Sequence, residues 1–428
     1  MTHPETPPSW YADTATAPSA RPALAGDLDI DVCVIGGGLT GVSAALNLAE
    51  RGYKVALIEQ QRIGWGASGR NGGQICTAYS SGMGKIESAL GKQDARLVWD
   101  MAEEAKRIIA ERTERHGIDC DLSWGYLYAA LSRHQMAGLR AEHAEWLEGY
   151  GYDQPARLLD TVEMRATVAS TRYLGGLLDP GAGHLQVYAY LLGLARAAEQ
   201  AGATLYEGTK ALSLTMGENP SVTTESGTIR CRHLVIATNA YLGRLVPRLR
   251  PYVMPVGSFV CVTEPMDPAR LEGLVKGGLA VGECNHILNY FRATSDNRLM
   301  FGGGANYSAI DPPNLRAYLR RKLTRVFPQL ADIEVTQAWS GLIGITTSRI
   351  PDFGRLDGNV YYAQGFSGQG VALSGLAGRL IAEAVAGQAE RLDIFGRIRH
   401  MPFPGGPLRT PALVLAMFYF RLLDMIGR

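Results

Sequence analysis

The chain has 428 residues, 46% hydrophobic and 19% charged, and its 42 Lys+Arg against 41 Asp+Glu leave a net charge of +1. This balance excludes a disordered or fibrous chain, and it carries no basic footprint for nucleic acid. Glycine is the outlier, at 51 of 428 residues, about 12% against a typical ~7%. Its clustering without a Gly-X-Y period points to backbone that approaches a ligand closely.

The six cysteines, Cys33, Cys76, Cys120, Cys231, Cys261 and Cys284, form no C-x-x-C pair. That pattern predicts neither a zinc site nor a disulfide framework, and it fits a reducing, cytoplasmic setting. The N-terminus has no basic and apolar leader pattern, and no run reaches the ~18 apolar residues of a membrane span. Residues 1–28 are expected to be an arm, pinned to the body by Trp10 and Tyr11.

From Asp29 to Ile35 a Pro-free, β-branched run predicts a buried strand. Gly36-Gly-Gly-Leu-Thr-Gly41 follows, then a helix over 42–51 and a second strand over 54–58, ending at Glu59. Gly36, Gly38 and Gly41 fit G-x-G-x-x-G in the strand–turn–helix context that makes the pattern specific for a dinucleotide. The first glycine makes the turn, the second admits the pyrophosphate, and the third lets helix pack on strand. The helix start offers N–H groups and positive potential to phosphate. Glu59 is placed to accept from ribose hydroxyls.

Next comes Gly66-Ala67-Ser68-Gly69-Arg70-Asn71-Gly72-Gly73, a run of N–H donors with a hydroxyl and a guanidinium. It favours FAD over NAD, because a flavin dinucleotide extends beyond the first unit. Residues 85–150 are expected to be mostly helical, with a further helix over 188–201 and a strand over 202–207. Strands are expected over 211–236, and antiparallel strands over 250–305 with a turn at 295–297. A helix is expected over 314–326, and 339–341 should lead into a loop. A second strand, Gly-rich turn and helix unit spans Asn359–Ala386.

The sequence resembles the D-amino-acid oxidase superfamily of FAD enzymes, which includes glycine oxidase and monomeric sarcosine oxidase, and within it the γ-glutamylputrescine oxidases. The residues that carry this are Ser9-Trp10-Tyr11, Asp31 to Gly41, Gly66 to Gln74, Ala237-Thr-Asn-Ala240, Gly365-Phe-Ser-Gly-Gln-Gly-Val371 and Phe403 to Pro411, so the likeness covers essentially the whole chain.

The resemblance implies an α/β fold: a Rossmann-like FAD-binding domain assembled from discontinuous segments, plus a substrate domain with a mixed or antiparallel sheet and helices. The expected division is an arm at 1–28; FAD-binding segments 29–85, 150–245 and 335–400; substrate segments 86–149 and 246–334; and a C-terminal extension, 401–428. The cofactor contacts it implies are Gly36, Gly38, Leu39, Thr40, Gly41, Glu59 and Gln60 at the first turn. Gly66, Ala67, Ser68, Arg70, Asn71, Gly72, Gly73 and Gln74 follow in the loop. Further along are Ala211, Ala237, Thr238, Asn239, Gly344, Phe366, Ser367, Gly368, Gln369, Gly370 and Val371. The helix after Gly370 would aim its positive end at the flavin N1–C2=O edge.

Two departures bear on activity. Sarcosine oxidase holds its flavin through a Cys in the segment resembling Leu342–Asp352; no Cys lies there, so noncovalent FAD is expected. The amino-acid oxidising relatives clamp a carboxylate with Arg, where this chain has Ile343 and Ser367. An amine without a neighbouring carboxylate therefore fits better, and γ-glutamylputrescine or a similar amine, with O₂ as acceptor, is the expected chemistry. An amine dehydrogenase passing electrons to a quinone or protein carrier, and a non-catalytic flavin subunit, stay open. His286, Tyr290, Arg292 and Trp339 are the candidate substrate-facing residues, with His286 as a base and Arg292 receiving a distal γ-glutamyl carboxylate. No metal is expected. The apolar run 412–420 is expected to pack on the body or to make a weak membrane or subunit contact.

Overall fold

The structure, a computed structural model, describes residues 9–16, 18–306 and 310–404; the run 412–420 lies outside them. In chain order the first elements are α1 (Trp10–Thr14), β1 (Leu28–Ile35), α2 (Leu39–Ala49), β2 (Val55–Ile58), β3 (Gln74–Ile75), α3 (Met83–Leu90), α4 (Lys92–Arg115), β4 (Ser123–Ala130) and α5 (Arg133–Ala144). Then come β5 (Arg157–Leu159), α6 (Thr161–Thr167), β6 (Gly175–His184), α7 (Val187–Gln200), β7 (Thr204–Tyr206), β8 (Ser213–Thr215), β9 (Ser221–Thr223), β10 (Thr228–Ile236) and β11 (Met254–Thr263). The chain continues through α8 (Pro268–Leu274), β12 (Ala280–Glu283), β13 (Asn289–Ala293), β14 (Leu299–Asn306), α9 (Leu315–Val326) and β15 (Val335–Ile345). It closes with β16 (Asp352–Arg355), β17 (Val360–Gln364), α10 (Gly370–Val385) and α11 (Glu390–Gly396).

Two sheets organise these elements. The first runs β16-β17-β10-β1-β2-β7, parallel from β17 to β7, with β8 and β9 attached at β10. Its inner strands are apolar along their length, as burial on both faces requires: Val32, Cys33 and Val34 are fully buried. The second runs β15-β11-β14-β13-β12-β4-β6-β3 with β5 beside β6, and it is antiparallel except between β12 and β4. Phe259, Phe291, Phe301 and Phe327 form the core on its outer face.

The helices that follow the two glycine turns cross in direct contact. A Cβ on Gly378 of α10 would stand 2.6 Å from the Ala44 nitrogen of α2, and Ser43 Oγ donates to the Gly375 carbonyl at 3.1 Å. The crossing brings residues 36–41 and 365–371, more than 320 positions apart in sequence, to one place. At the first turn, a Cβ on Gly41 would lie 1.9 Å from the Gly36 carbonyl oxygen, so only glycine permits α2 to start there.

Sheet membership redraws the division expected from sequence. β3, β5, β6 and β15 belong to the second sheet, although 29–85, 150–245 and 335–400 were expected in the FAD-binding body. Conversely α4, expected on the substrate side, packs on α10 through Arg379, which pairs with Glu104 and Glu111. Pairing between remote strands decides membership, and local pattern does not encode it. Three local expectations also change. β4 crosses the stretch expected to be mostly helical, α8 lies within the stretch expected to be strands, and 339–341 sit inside β15 rather than at a loop.

Candidate active site

A cavity of about 1100 Å³ opens between the two sheets. That is just above the usual range of ligand pockets, ~300–1,000 Å³, a volume that suits a ligand of dinucleotide size. Its floor is the turn after β1 and the helix starts that neither side chain caps: Gly38 precedes α2 and Gln369 precedes α10, each without a side-chain capping bond. Apart from Leu39 N, which donates to Ser68 Oγ, the N–H groups of these helix starts are open to a ligand.

Glu59 closes one end. Its Oε2 accepts from Gly37 N at 2.7 Å and its Oε1 from Gln61 N at 2.9 Å. Burial raises its carboxyl above the usual range, against the lowering effect of those N–H groups. Beside the helix start, Ser68 Oγ accepts from Leu39 N at 2.9 Å, joining the 66–74 loop to the first turn.

That loop is held internally. Arg70 donates to the carbonyls of Gly66 and Ser340 at 3.2 and 3.0 Å, and also to that of Trp65. Asn71 Oδ1 accepts from Gly73 N at 2.8 Å. At the second turn, Asn239 Oδ1 accepts from Gly365 N at 2.9 Å. Asn239 and Ser367 hold φ of +44° and +53°, a strained left-handed conformation for non-glycine residues that concentrates at functional sites.

Two buried polar atoms on the cavity wall, Thr238 Oγ1 and Gln369 Oε1, have no hydrogen-bond partner among the described residues. Buried polar atoms are seldom left unpaired, so this wall is shaped for a polar ligand lying across both turns.

Every expected cofactor contact lines this cavity except Gly41 and Gly73. Gly41 acts through packing, as above. A Cβ on Gly73 would lie 2.1 Å from the Leu185 carbonyl oxygen, so it too serves close packing and not ligand contact.

The substrate-facing candidates divide. Tyr290 lines the cavity, and His286 lines it from the exposed 284–288 loop. Arg292 and Trp339 do not line it. Tyr290 and Arg292 do share a face of β13, but Arg292 is 1% exposed. Its guanidinium donates to the carbonyls of Gly72, Leu185 and Ala293 at 3.0–3.1 Å and to Tyr11 Oη at 3.3 Å. The carboxylate-receiving role expected of Arg292 is withdrawn, because its donors are spent on main chain. Trp339 is likewise buried, and its Nε1 donates to the Arg70 carbonyl at 2.8 Å.

Tyr126 and Tyr128 on β4, Glu142 on α5, and Cys76 and Cys284 also line the cavity. The two tyrosines go unread with β4 itself, and the alternation Trp124, Tyr126, Tyr128 is the signal that could find them; Glu142, Cys76 and Cys284 carry no such local signal. Burial pushes the Cys76 and Cys284 thiols up to about 12, so both stay protonated and unreactive.

A family model described as FAD dependent oxidoreductase, DAO, matches residues 31–384. The chain belongs to the DAO family of FAD-dependent oxidoreductases. It is 41% identical over 421 residues, 98% of each chain, to the gamma-glutamylputrescine oxidoreductase of Escherichia coli (strain K12). It is 28% identical over 386 residues to the glycine oxidase of Geobacillus kaustophilus (strain HTA426), 87% of this chain and 97% of that one. The solved glycine oxidase from Geobacillus kaustophilus superposes with a TM-score of 0.71 at 25% identity, covering 84% of this chain and 95% of that one. The L-proline dehydrogenase from P. horikoshii superposes at 0.73 and 21% identity, covering 87% and 96%, and shares the fold. The family's cofactor is FAD, and the two unpartnered wall atoms, the uncapped helix starts and Glu59 fit a dinucleotide of that length.

Proposed function

We propose that the protein oxidises a primary amine such as γ-glutamylputrescine to an aldehyde and ammonia, with O₂ as electron acceptor. The observation that carries this reading is the absence of a guanidinium at the two positions facing the substrate side, Ile343 and Ser367. Ser367 Oγ donates to the Gly365 carbonyl at 3.0 Å and accepts from Thr346 N at 3.3 Å. It therefore serves the turn, and no carboxylate clamp is built there.

Noncovalent FAD would be held by the 36–41 turn, Glu59, the 66–74 loop, 237–239 and 366–371. Bound FAD supplies the hydride acceptor at N5 and passes the electron pair on to O₂, giving H₂O₂. The protein's share is alignment and exclusion of water. Tyr126, Tyr128 and Tyr290 flank the carbon chain, and burial keeps all three phenols protonated. The amine's α C–H leaves as hydride and its N–H proton departs by way of the rim, where His286 stands. The resulting imine takes up water and releases ammonia.

Among the described residues no single helix is long and apolar enough to cross a membrane. The six free cysteines fit a cytoplasmic enzyme.

The test is anaerobic bleaching of the purified flavoprotein across an amine panel, followed by H₂O₂ measurement in air. Bleaching by γ-glutamylputrescine and peroxide formation are expected. Turnover of glycine or sarcosine with no primary diamine derivative would overturn the substrate reading; fast reoxidation by a quinone and slow reoxidation by air would overturn the acceptor.

A further inference from the structure

The cavity continues beyond the residues around the cofactor. Gln74, at the flavin side, accepts through Oε1 from Tyr126 Oη at 3.2 Å. The Tyr126 and Tyr128 rings stand 4.7 Å apart, two residues along the inward face of β4. A strand rises ~3.3 Å per residue, so this wall extends roughly 7 Å past Tyr126. At its far end lie Leu139 and Glu142 from α5, with Cys284 from the loop after β12.

Glu142 acts electrostatically on both Tyr128 and Cys284. Among the described residues no N–H or O–H donates to its carboxylate, and the charges that bear on it are carboxylates, Glu145 in the turn just after α5 and Asp179 on β6. Burial first, then those like charges, push its carboxyl up to about 7. Lys106, on the far side of Asp179's network, is held by Glu103, Thr77 and Tyr152 and does not act on Glu142.

We propose that Glu142 receives a second cationic group of the substrate: the cavity takes an elongated amine whose distal ammonium pairs with Glu142 while its reacting amine lies at the flavin end. This rests on the amine-oxidising reading above. Glu142 is half-buried in the cavity wall, so its carboxylate is only partly hydrated, and an ammonium at the end of a tyrosine-lined channel supplies both charge and N–H donors. The withdrawal of Arg292 leaves distal recognition to this opposite charge. In γ-glutamylputrescine the group concerned is the α-ammonium; in a diamine it is the second amine.

The test compares the wild-type holoenzyme with Glu142→Gln and Glu142→Asp, each checked for FAD content. γ-Glutamylputrescine and its α-N-acetyl form, in which the α-ammonium is neutralised and the α-carboxylate is kept, are the substrates. An α,α,α′,α′-tetramethylated diamine, which keeps an ammonium with N–H donors at each end but has no α C–H to oxidise, is titrated separately and read in the flavin absorbance. A charge-assisted hydrogen bond contributes ~1.5–3 kcal/mol, so Glu142→Gln is expected to weaken dication binding and raise KM for γ-glutamylputrescine roughly 10- to 100-fold. The acetylated form should lose far less, and Glu142→Asp should fall between. Equal losses on both substrates, or none on either, would overturn the proposal. If no amine bleaches the flavin, the amine-oxidase reading fails by itself, while the dication titration still decides the role of Glu142.

Discussion

The Tyr290 ring lies close against Gly72: a Cβ on that glycine would stand 2.4 Å from the ring carbon Cε2. On the opposing strand, a Cβ at Gly302 would stand 2.0 Å from the ring carbon Cζ. Two glycines, one on the cofactor loop and one on β14, therefore fix a ring of the substrate sheet beside the place where the flavin belongs. Gly72→Ala forces the ring or the loop to move. The expected outcome is a shifted flavin absorbance spectrum and a fall in kcat/KM of roughly ten-fold or more, the scale on which ~1 Å misplacements act. Tyr290→Leu in the same background should recover part of the loss by freeing the space. An unchanged spectrum in Gly72→Ala would show that the contact does not set the flavin's surroundings.

Arg292 ties the arm, the cofactor loop and the end of β6 together through its four bonds to Gly72, Ala293, Leu185 and Tyr11. Arg292→Met leaves those buried acceptors unpaired, and a loss on the order of 3 kcal/mol or more in unfolding free energy is expected. Urea unfolding of the holoprotein measures it. A raised KM for the amine at unchanged stability would instead return Arg292 to a substrate role.

His184, 5% exposed, has its pKa lowered to about 4 by burial and by Arg292, against the raising effect of the Gly278 carbonyl, 2.8 Å from Nε2. The folded state binds this proton less readily than the unfolded chain, whose histidine titrates near 6.5. Its stabilising contribution is thus complete above pH 6.5 and is lost as pH falls toward 4. At ~1.4 kcal/mol per pKa unit, the loss is on the order of 3 kcal/mol. His184→Gln should flatten that part of the stability–pH curve measured by urea unfolding. An identical acid limb in wild type and variant would show that other groups govern it.

Both nucleotide turns were legible in sequence because their signals are local. Glycines at 36, 38 and 41 between a β-branched run and a helix, and the turn before Gly370, need only neighbouring residues to be recognised. Family membership was legible from the same turns and from the 66–74 loop. Tyr290 was legible on the cavity face through strand alternation. Arg292 was wrongly placed because alternation assigns a face and says nothing of what covers it; here α1 and the 72–73 main chain do. Tyr126 and Tyr128 escape local reading because β4 lies between helices, and Glu142 because helical periodicity does not say which face of α5 meets the cavity.

The sequence by itself determined the two glycine turns, the acid at Glu59 and the residue types at 343 and 367, since each depends on residue type within a short span. Only the tertiary structure decided that β3, β5, β6 and β15 join one sheet and that Arg292 faces main chain while Glu142 faces the cavity. Those outcomes arise from packing between segments far apart in the chain, where burial and unmet hydrogen bonds, more than local propensity, select the arrangement.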